Sequence, residues 1–494
     1  MTTELANGTA GGAANGEATP TRVVVIGAGP GGYPAAFQAA HLGMDVTLVD
    51  PEPNPGGVCL YRGCIPSKAL LHVAALLNET EAAGDWGIHF ERPAIDLDQV
   101  RDWKGRVVAK MTGGLGVLTK QRRVRYLQGH ARLVGPTQAV VELVEGGEQT
   151  LDFDYAVLAT GSRPAVIPSL LPDSPLVMDS TSALELPEVP ATLLVVGGGY
   201  IGLELGSVYA ALGSRVTVVE MTAGLLPGAD RDLVQQLERR LKTQLEEILL
   251  ETRVDSMREV DGGIEVTLAG ADVEQPLRRF DRALVSVGRR PNSDGLGLES
   301  TRVRVNERGF IEVDPQRRTA EPTIFAVGDV AGEPMLAHKA THEGRVAAEA
   351  IAGQPVAFDP AAIPAVVFTD PEIAWSGLTE SEAGERGIEV DVLRFPWAAS
   401  GRATTLGRAN EGVTKLLVDP RSERVLGVGI AGAGAGELIA EATLAIEMGA
   451  RVDDLRATIH AHPTLSETLM EAADLFTNSS PHYVDRRRER ARGG

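Results

Sequence analysis

Cysteine is nearly absent: 494 residues hold two, Cys59 and Cys64. So few thiols exclude a secreted scaffold stapled by disulfides. No window holds 18 consecutive apolar residues, so nothing reads as a membrane span. Met1 to Pro20 is rich in Gly, Ala, Asn and Thr and lacks a basic start and an apolar core. It reads as a disordered tail rather than a secretory signal. Positive charge is also short. The net charge is −20, which argues against wrapping nucleic acid. No third ligand stands at metal-site spacing beside the histidines or cysteines, so no metal centre is expected. A cytoplasmic, acidic enzyme of several domains fits the length and the ordinary 43% apolar content.

What is present begins with a repeat. Thr21 to Ile26 is a β-branched run, followed at once by Gly27-Ala28-Gly29-Pro30-Gly31-Gly32, an alanine-rich helical segment, and a strand ending in Asp50. Glycines there permit a tight turn and let backbone approach a pyrophosphate at the helix N-terminus. Asp50 lies 18 residues past Gly32, placed to accept hydrogen bonds from a ribose. The same order returns from Ala191. Leu193 to Val196 is a strand, Gly197-Gly198-Gly199-Tyr200-Ile201-Gly202 the loop, and Glu220 closes the next strand, again 18 residues past the last glycine. Two such units imply two nucleotides. A carboxylate at Glu220 binds a free 2′-hydroxyl and repels a 2′-phosphate. The following Met221-Thr222-Ala223-Gly224 offers no arginine for a phosphate, which favours NAD over NADP.

The two thiols sit just beyond the first unit, in Gly56-Gly57-Val58-Cys59-Leu60-Tyr61-Arg62-Gly63-Cys64-Ile65-Pro66-Ser67-Lys68. In a regular helix, residues five apart are roughly 8–9 Å apart at Cα, whereas a disulfide needs less than about 7 Å. A Cys59–Cys64 bridge therefore requires an irregular turn, which Gly63 can supply. Pro66 suits a first helical turn, and a thiol at a helix N-terminus has its thiolate favoured. A strained bridge there is easily reduced and reads as redox-active.

Further along, Gly129-His130-Ala131 and Tyr155 to Ala159 read as strands, and Thr160-Gly161-Ser162-Arg163-Pro164 as the exit loop. Leu284 to Gly288 closes the second unit, and Thr323 to Val327 leads as a strand into Gly328-Asp329. After Gln354-Pro355 the pattern becomes α+β without a nucleotide motif. It ends in Ile459-His460-Ala461-His462-Pro463-Thr464-Leu465-Ser466-Glu467. There His462 can act as a base with Glu467 fixing its tautomer, and His460 reads as a packing residue.

Taken together, GGVCLYRGCIPSK, the two glycine loops, the Ala-Thr-Gly turn, Gly328-Asp329 and HPT-x-x-E resemble the FAD-dependent pyridine-nucleotide disulfide oxidoreductases, within them the dihydrolipoamide dehydrogenases. The motifs span nearly the whole chain. The resemblance implies an α/β fold with two Rossmann-like dinucleotide-binding domains and a C-terminal α+β dimer-interface domain. The boundaries are a tail at 1–20, FAD domain at 21–165, NAD domain at 166–288, a central segment at 289–355 completing the FAD domain, dimerisation domain at 356–480, and basic tail at 481–494. It implies Cys59, Cys64, His462 and Glu467 as catalytic residues, with Cys59 meeting the substrate thiolate, Cys64 nearer the flavin, and His462 supplied by the partner subunit. FAD contacts are implied for Gly27, Gly29, Gly32, Asp50, Gly57, Lys68, Ala131, Thr160, Gly161, Ser162, Asp329 and Ala337. Cofactor contacts are likewise implied for Gly197, Gly199, Ile201, Gly202, Glu220 and Gly288 in the second unit, and for Glu204, which forms a pair with Lys68 beside the flavin ring. Partners are a second copy of the chain and the lipoyl domains of a 2-oxoacid dehydrogenase or similar complex.

Tyr61-Arg62 and the glycine-rich Ala431 to Gly436 depart from the family's pattern. Arg62 is expected to depress a thiol pKa, and the loop to be less rigid than its counterparts. Two other readings stand beside this one: a related reductase of another small disulfide, and a non-catalytic subunit docked on an acyltransferase core.

Overall fold

The computed structural model describes residues 20–170, 173–271 and 273–486. The expected N-terminal tail, save Pro20, and the basic tail beyond Arg486 lie outside the described residues.

Strand Arg22–Ile26 is buried over Val23 to Ile26 because it sits inside a parallel sheet covered on both faces. It pairs with Asp45–Asp50 on one side and Tyr155–Leu158 on the other. Ile324–Ala326 and Arg125–Gly135 extend the sheet in parallel. Gln138–Leu143 and Glu148–Asp152 then add an antiparallel edge. The strand at Ile324–Ala326 thus returns to the first sheet after the whole second unit has intervened.

That second unit is a five-stranded parallel sheet in the order Glu247–Leu249, Arg215–Val219, Thr192–Val196, Arg282–Val285, Val177–Met178. A three-stranded antiparallel sheet, Arg253–Val260, Gly263–Ala269 and Leu277–Phe280, adjoins it. The two units are stitched by a short antiparallel pair, Ser162–Pro164 with Arg289–Pro291. The third unit is an antiparallel sheet of five strands, with Val413–Val418 and Val425–Gly432 at its centre. Helix Ala435–Glu447 packs against it.

Trp397, fully buried, organises that last core. A Cβ at Gly412 or Gly432 would stand 2.3 Å from its ring. The glycine at position 432 is therefore dictated by indole packing, and Gly436 N–H is tied to Glu372 Oε2 at 2.8 Å. These contacts hold the loop expected to be loose. Across the seam with the second unit, fully buried Lys415 places Nζ 2.6 Å from Asp230 Oδ2, 2.7 Å from Asp232 Oδ1 and 3.4 Å from Glu380 Oε2. The three carboxylates converge as a metal site might, but the ammonium fills the space between them. Both aspartates are held below the ordinary carboxylate range: burial opposes their charge, and Lys415 together with hydrogen-bond donors overcomes it.

Candidate active site

The first glycine loop is built by steric exclusion. Gly27 adopts φ +95°, and a Cβ there would lie 2.4 Å from Ala159 O. At Gly32 a Cβ would stand 1.8 Å from Gly27 O. Gly27 N–H donates to Val49 O at 2.8 Å, closing the loop over the strand end. Asp50 then braces it, accepting from Ala28 N at 2.7 Å and Glu52 N at 3.0 Å. Burial is the largest influence on Asp50 and raises its pKa, with those backbone donors opposing. The second loop repeats the construction. Gly197 N–H donates to Val219 O at 2.8 Å, and Glu220 accepts from Gly198 N at 2.6 Å and Thr222 N at 2.7 Å. A Cβ at Gly202 would lie 2.3 Å from Gly197 O. At Gly199 it would meet nothing within 4 Å, and at Gly29 nothing nearer than 3.8 Å. A side chain at either middle position would meet nothing closer than ordinary van der Waals contact, so the protein's own packing does not require these two glycines and their outer side is open to a ligand.

A cleft of about 540 Å³ runs from the first loop to the thiols. Gly27, Gly29, Asp50, Gly57, Cys59, Cys64, Lys68, Ala131, Thr160, Gly161, Ser162, Asp329 and Ala337 line it. Gly57, at φ +56°, brings its backbone against Gly29, where a side chain on Gly57 would stand 2.5 Å from Gly29 Cα. Gly32 sits beneath the loop rather than on the cleft. Ile201 and Glu204, though they belong to the second unit, also line this cleft, because helix Tyr200–Leu212 packs on helix Cys64–Ala82. Glu204 is buried and accepts from Lys68 Nζ at 2.7 Å and from Phe368 N at 3.0 Å. The Lys68 ammonium also lies 4.4 Å from the Phe368 ring centre. One ion pair thereby joins all three units at the floor of the cleft.

The thiols occupy a break between two helices. Gly57–Arg62 ends and Cys64–Ala82 begins at Gly63, whose φ −145°, ψ −113° belongs to neither. A Cβ at Gly63 would lie 2.9 Å from Val58 O. Both cysteines are free thiols and hydrogen-bond each other. That contact splits their acidity. Cys64, accepting from Cys59 and facing the Lys68 charge, falls to about 7, while donation to Cys64 and burial push Cys59 well above the normal thiol range. Of the two, Cys64 is the one favoured as thiolate. Arg62 does not act on either thiol as expected. It pairs with Glu52, and the cation that favours the thiolate is Lys68. Tyr61 Oη donates to Asn54 O at 3.0 Å, bracing the loop that leads to the thiols.

His462 and Glu467 form a second, separate group. Glu467 Oε1 meets His462 Nδ1 at 2.8 Å, and its other oxygen accepts from Thr464 N at 2.8 Å. Burial raises the Glu467 pKa, but those donors lower it further, so the net shift is downward. The imidazole is 68% exposed and lines no part of the thiol cleft within the same chain. His460 is committed elsewhere, to Glu441 at 2.8 Å and Thr458 O at 3.0 Å.

Several lining residues escaped the sequence reading. Asn292 clamps the Ala-Thr-Gly turn by donating from Nδ2 to Thr160 O at 2.9 Å and accepting at its carbonyl from Thr160 Oγ1 at 2.7 Å. Arg289 donates from Nε to Ser162 Oγ at 2.7 Å, behind the expected contact of Ser162 Oγ with Asp329 Oδ2 at 2.5 Å. Tyr200 also reaches the cleft, where burial, the largest influence, raises its pKa. The only local signal was Gly288-Arg289-Arg290-Pro291-Asn292, with Gly288 at φ +116°. These glycine cradles, the open middle glycines and the long cleft fit a dinucleotide at each loop and an isoalloxazine beside the thiols.

The pyridine nucleotide-disulphide oxidoreductase model matches residues 21–344, and its dimerisation domain matches residues 363–473. A dihydrolipoyl dehydrogenase of Vibrio parahaemolyticus is 47% identical over 458 residues, 93% of this chain and 96% of that one. One from Geobacillus stearothermophilus is 45% identical over 468 residues, 94% of this chain and 98% of that one. The crystal structure of LpdA from Mycobacterium tuberculosis superposes with a TM-score of 0.85 at 28% identity, covering 92% of this chain and 99% of that one. On these matches, with the thiol pair and both glycine loops in place, the chain belongs to the pyridine nucleotide-disulphide oxidoreductase family.

Proposed function

We propose that the chain is a dihydrolipoyl dehydrogenase, oxidising dihydrolipoamide to lipoamide and delivering the electrons to NAD. The observation that carries this is the split thiol pair, with Cys64 favoured as thiolate beside Lys68 at the floor of a cleft that starts at a dinucleotide loop. Gly27, Gly29, Asp50, Thr160, Ser162 and Asp329 would hold FAD, and Gly197, Gly199, Gly202 and Glu220 would hold NAD. FAD supplies a two-electron acceptor for the thiol pair and NAD takes the hydride.

The chain's own part is thiol–disulfide exchange. In the oxidised enzyme Cys59 and Cys64 share a disulfide. A His462 from the partner subunit takes a proton from one substrate thiol, and Glu467 at Nδ1 stabilises the imidazolium. The substrate thiolate attacks Cys59 Sγ, the Cys59–Cys64 bond breaks, and Cys64 leaves as thiolate, stabilised by Lys68. The second substrate thiol then attacks the substrate sulfur of the mixed disulfide, and its proton passes to Cys59, which leaves as thiol. Lipoamide departs, Cys59 is released, and two electrons remain on the enzyme pair.

The active assembly in this reading is a homodimer, because within one chain His462 lines no part of the thiol cleft. Its protein substrate is a lipoyl domain, and we place the enzyme in the cytoplasm. Among the described residues no helix is long and apolar enough to cross a membrane. The test is anaerobic absorbance of the purified flavoprotein mixed with dihydrolipoamide, then with NAD or NADP. A long-wavelength thiolate–flavin band that NAD discharges and NADP leaves intact is expected. A flavin reduced by NADH but unmoved by dihydrolipoamide overturns the substrate and points to another small disulfide.

A further inference from the structure

Helix Ala337–Ile351 presents two faces. Ala337 and Ala340 line the thiol cleft, while Lys339 and Glu343, one turn apart, line a second cavity of about 560 Å³ that shares no residue with the first. Its walls include Phe310, Ile311, Val313 and Phe358. Its polar end holds Arg317, Lys339 and the wholly buried Glu343. One Glu343 oxygen accepts from Gly328 N at 2.6 Å. The other faces both Lys339 Nζ at 2.8 Å and Arg317 Nη2 at 3.1 Å. That oxygen is paired by charge with both cations but hydrogen-bonded to neither. Arg317 Nε is buried with no hydrogen-bond partner, and the guanidinium lies 5.4 Å from the Phe358 ring centre. A buried N–H left unpaired is unfavourable, so a ligand that supplies an acceptor is rewarded.

We propose that this cavity is a binding site for a small monocarboxylate with an apolar body. Its carboxylate takes the Arg317 fork and its body lies along the Phe310 and Phe358 wall. The charges around it set the valence. Glu312 and Glu333 also line the cavity, Glu333 pairs with Arg308 at 2.7 Å, and Asp314 acts on Arg317. A dianion would be repelled by these acids, whereas one negative charge matches the undersupplied guanidinium. Occupancy has a route to the flavin cleft. Glu343 fixes Gly328, and Asp329 follows directly. Drawing Arg317 off Glu343 alters the charge balance behind that turn.

The test is calorimetric titration of the FAD-loaded enzyme with sodium benzoate, with benzamide as the uncharged isostere, while the flavin absorbance is followed. Saturable benzoate binding is expected, with no benzamide binding and about a tenfold or greater loss of affinity in Arg317→Met. No saturable benzoate binding, equal binding of benzamide, or unchanged affinity in Arg317→Met overturns the site. Should Arg317→Met fail to retain flavin, Arg317→Lys, which keeps the charge and loses the fork, is read the same way. The benzoate–benzamide comparison on the native enzyme also stands alone. Binding heat without a change in flavin absorbance supports the site and overturns its link to the cleft. None of these outcomes depends on dihydrolipoamide being the substrate.

Discussion

The two glycine-loop units are built alike and employed differently. Each has its first glycine N–H on the neighbouring strand end, at 2.8 Å in both. Each has an acid whose two oxygens accept from the backbone just past that glycine and from the residue two positions on. The first acid is an aspartate and the second a glutamate, yet the pattern of the brace is the same. The acid therefore has a structural role before any ribose arrives, and the 18-residue spacing marks a loop brace as well as a ligand contact. What distinguishes the units is where the chain goes next. After Asp50, a loop braced by Tyr61 and Tyr126 delivers the chain to Cys59. After Glu220, the chain runs to Asp230 and the seam with the third unit.

The largest effect is expected where a side chain has no room. Gly32→Ala should abolish FAD retention, read as loss of flavin absorbance in the purified protein. Gly202→Ala should keep the flavin and lose NAD binding. Overpacking at either site costs typically 1–3 kcal/mol in stability. Loss of flavin in both variants would show that the units do not fail separately. Neutralising the braces comes next. Asp50→Asn should weaken FAD, and Glu220→Gln should narrow the NAD over NADP preference, each by about 1.5–3 kcal/mol in charge-assisted hydrogen bonding. Nucleotide titrations of both variants check this.

A smaller effect concerns the thiols. Cys64 is lowered to about 7, so its thiolate is present above that pH and is protonated as pH falls through it. Lys68→Met removes the nearby cation and should move that transition upward, followed by thiolate absorbance of the reduced enzyme. An unmoved transition would assign the lowering wholly to Cys59. The smallest effect is Thr222→Val. Thr222 Oγ1 donates to Glu220 at 2.8 Å, and residue 52 at the same point of the first unit is a glutamate. A loss of about 1 kcal/mol in stability is expected by denaturant unfolding, whereas Glu52→Gln, which gives up only the partly exposed pair with Arg62, should cost less.

What could be read in the sequence was local. Glycine loops, their acids and the thiol turn all carry their meaning within about twenty residues, because each is a steric or hydrogen-bonding requirement of one strand–loop–helix unit. The lining that was missed is non-local. Asn292 meets Thr160 across 132 positions, and Arg289 meets Ser162 across 127. Those pairings arise because strand Arg289–Pro291 comes back, after the second unit, to pair with Ser162–Pro164, a topological fact that local sequence does not reveal. Arg62 was misjudged for a related reason. Its nearness to the thiols in sequence was visible, whereas its pairing with Glu52 was decided by how the intervening turn folds back.

The Lys415 seam limits how the molecule can be taken apart. Two of its three counter-charges belong to the second unit, so a fragment holding only the third would keep Glu380, at 3.4 Å, as the sole acid facing that ammonium. Stripping partners from a buried charge costs about 3–5 kcal/mol, a large share of what any domain has to spare. The part that resembles a detachable dimerisation module is, electrostatically, half of a joint. Heating should melt it together with its neighbour in one transition, and recombinant excision should yield insoluble chain.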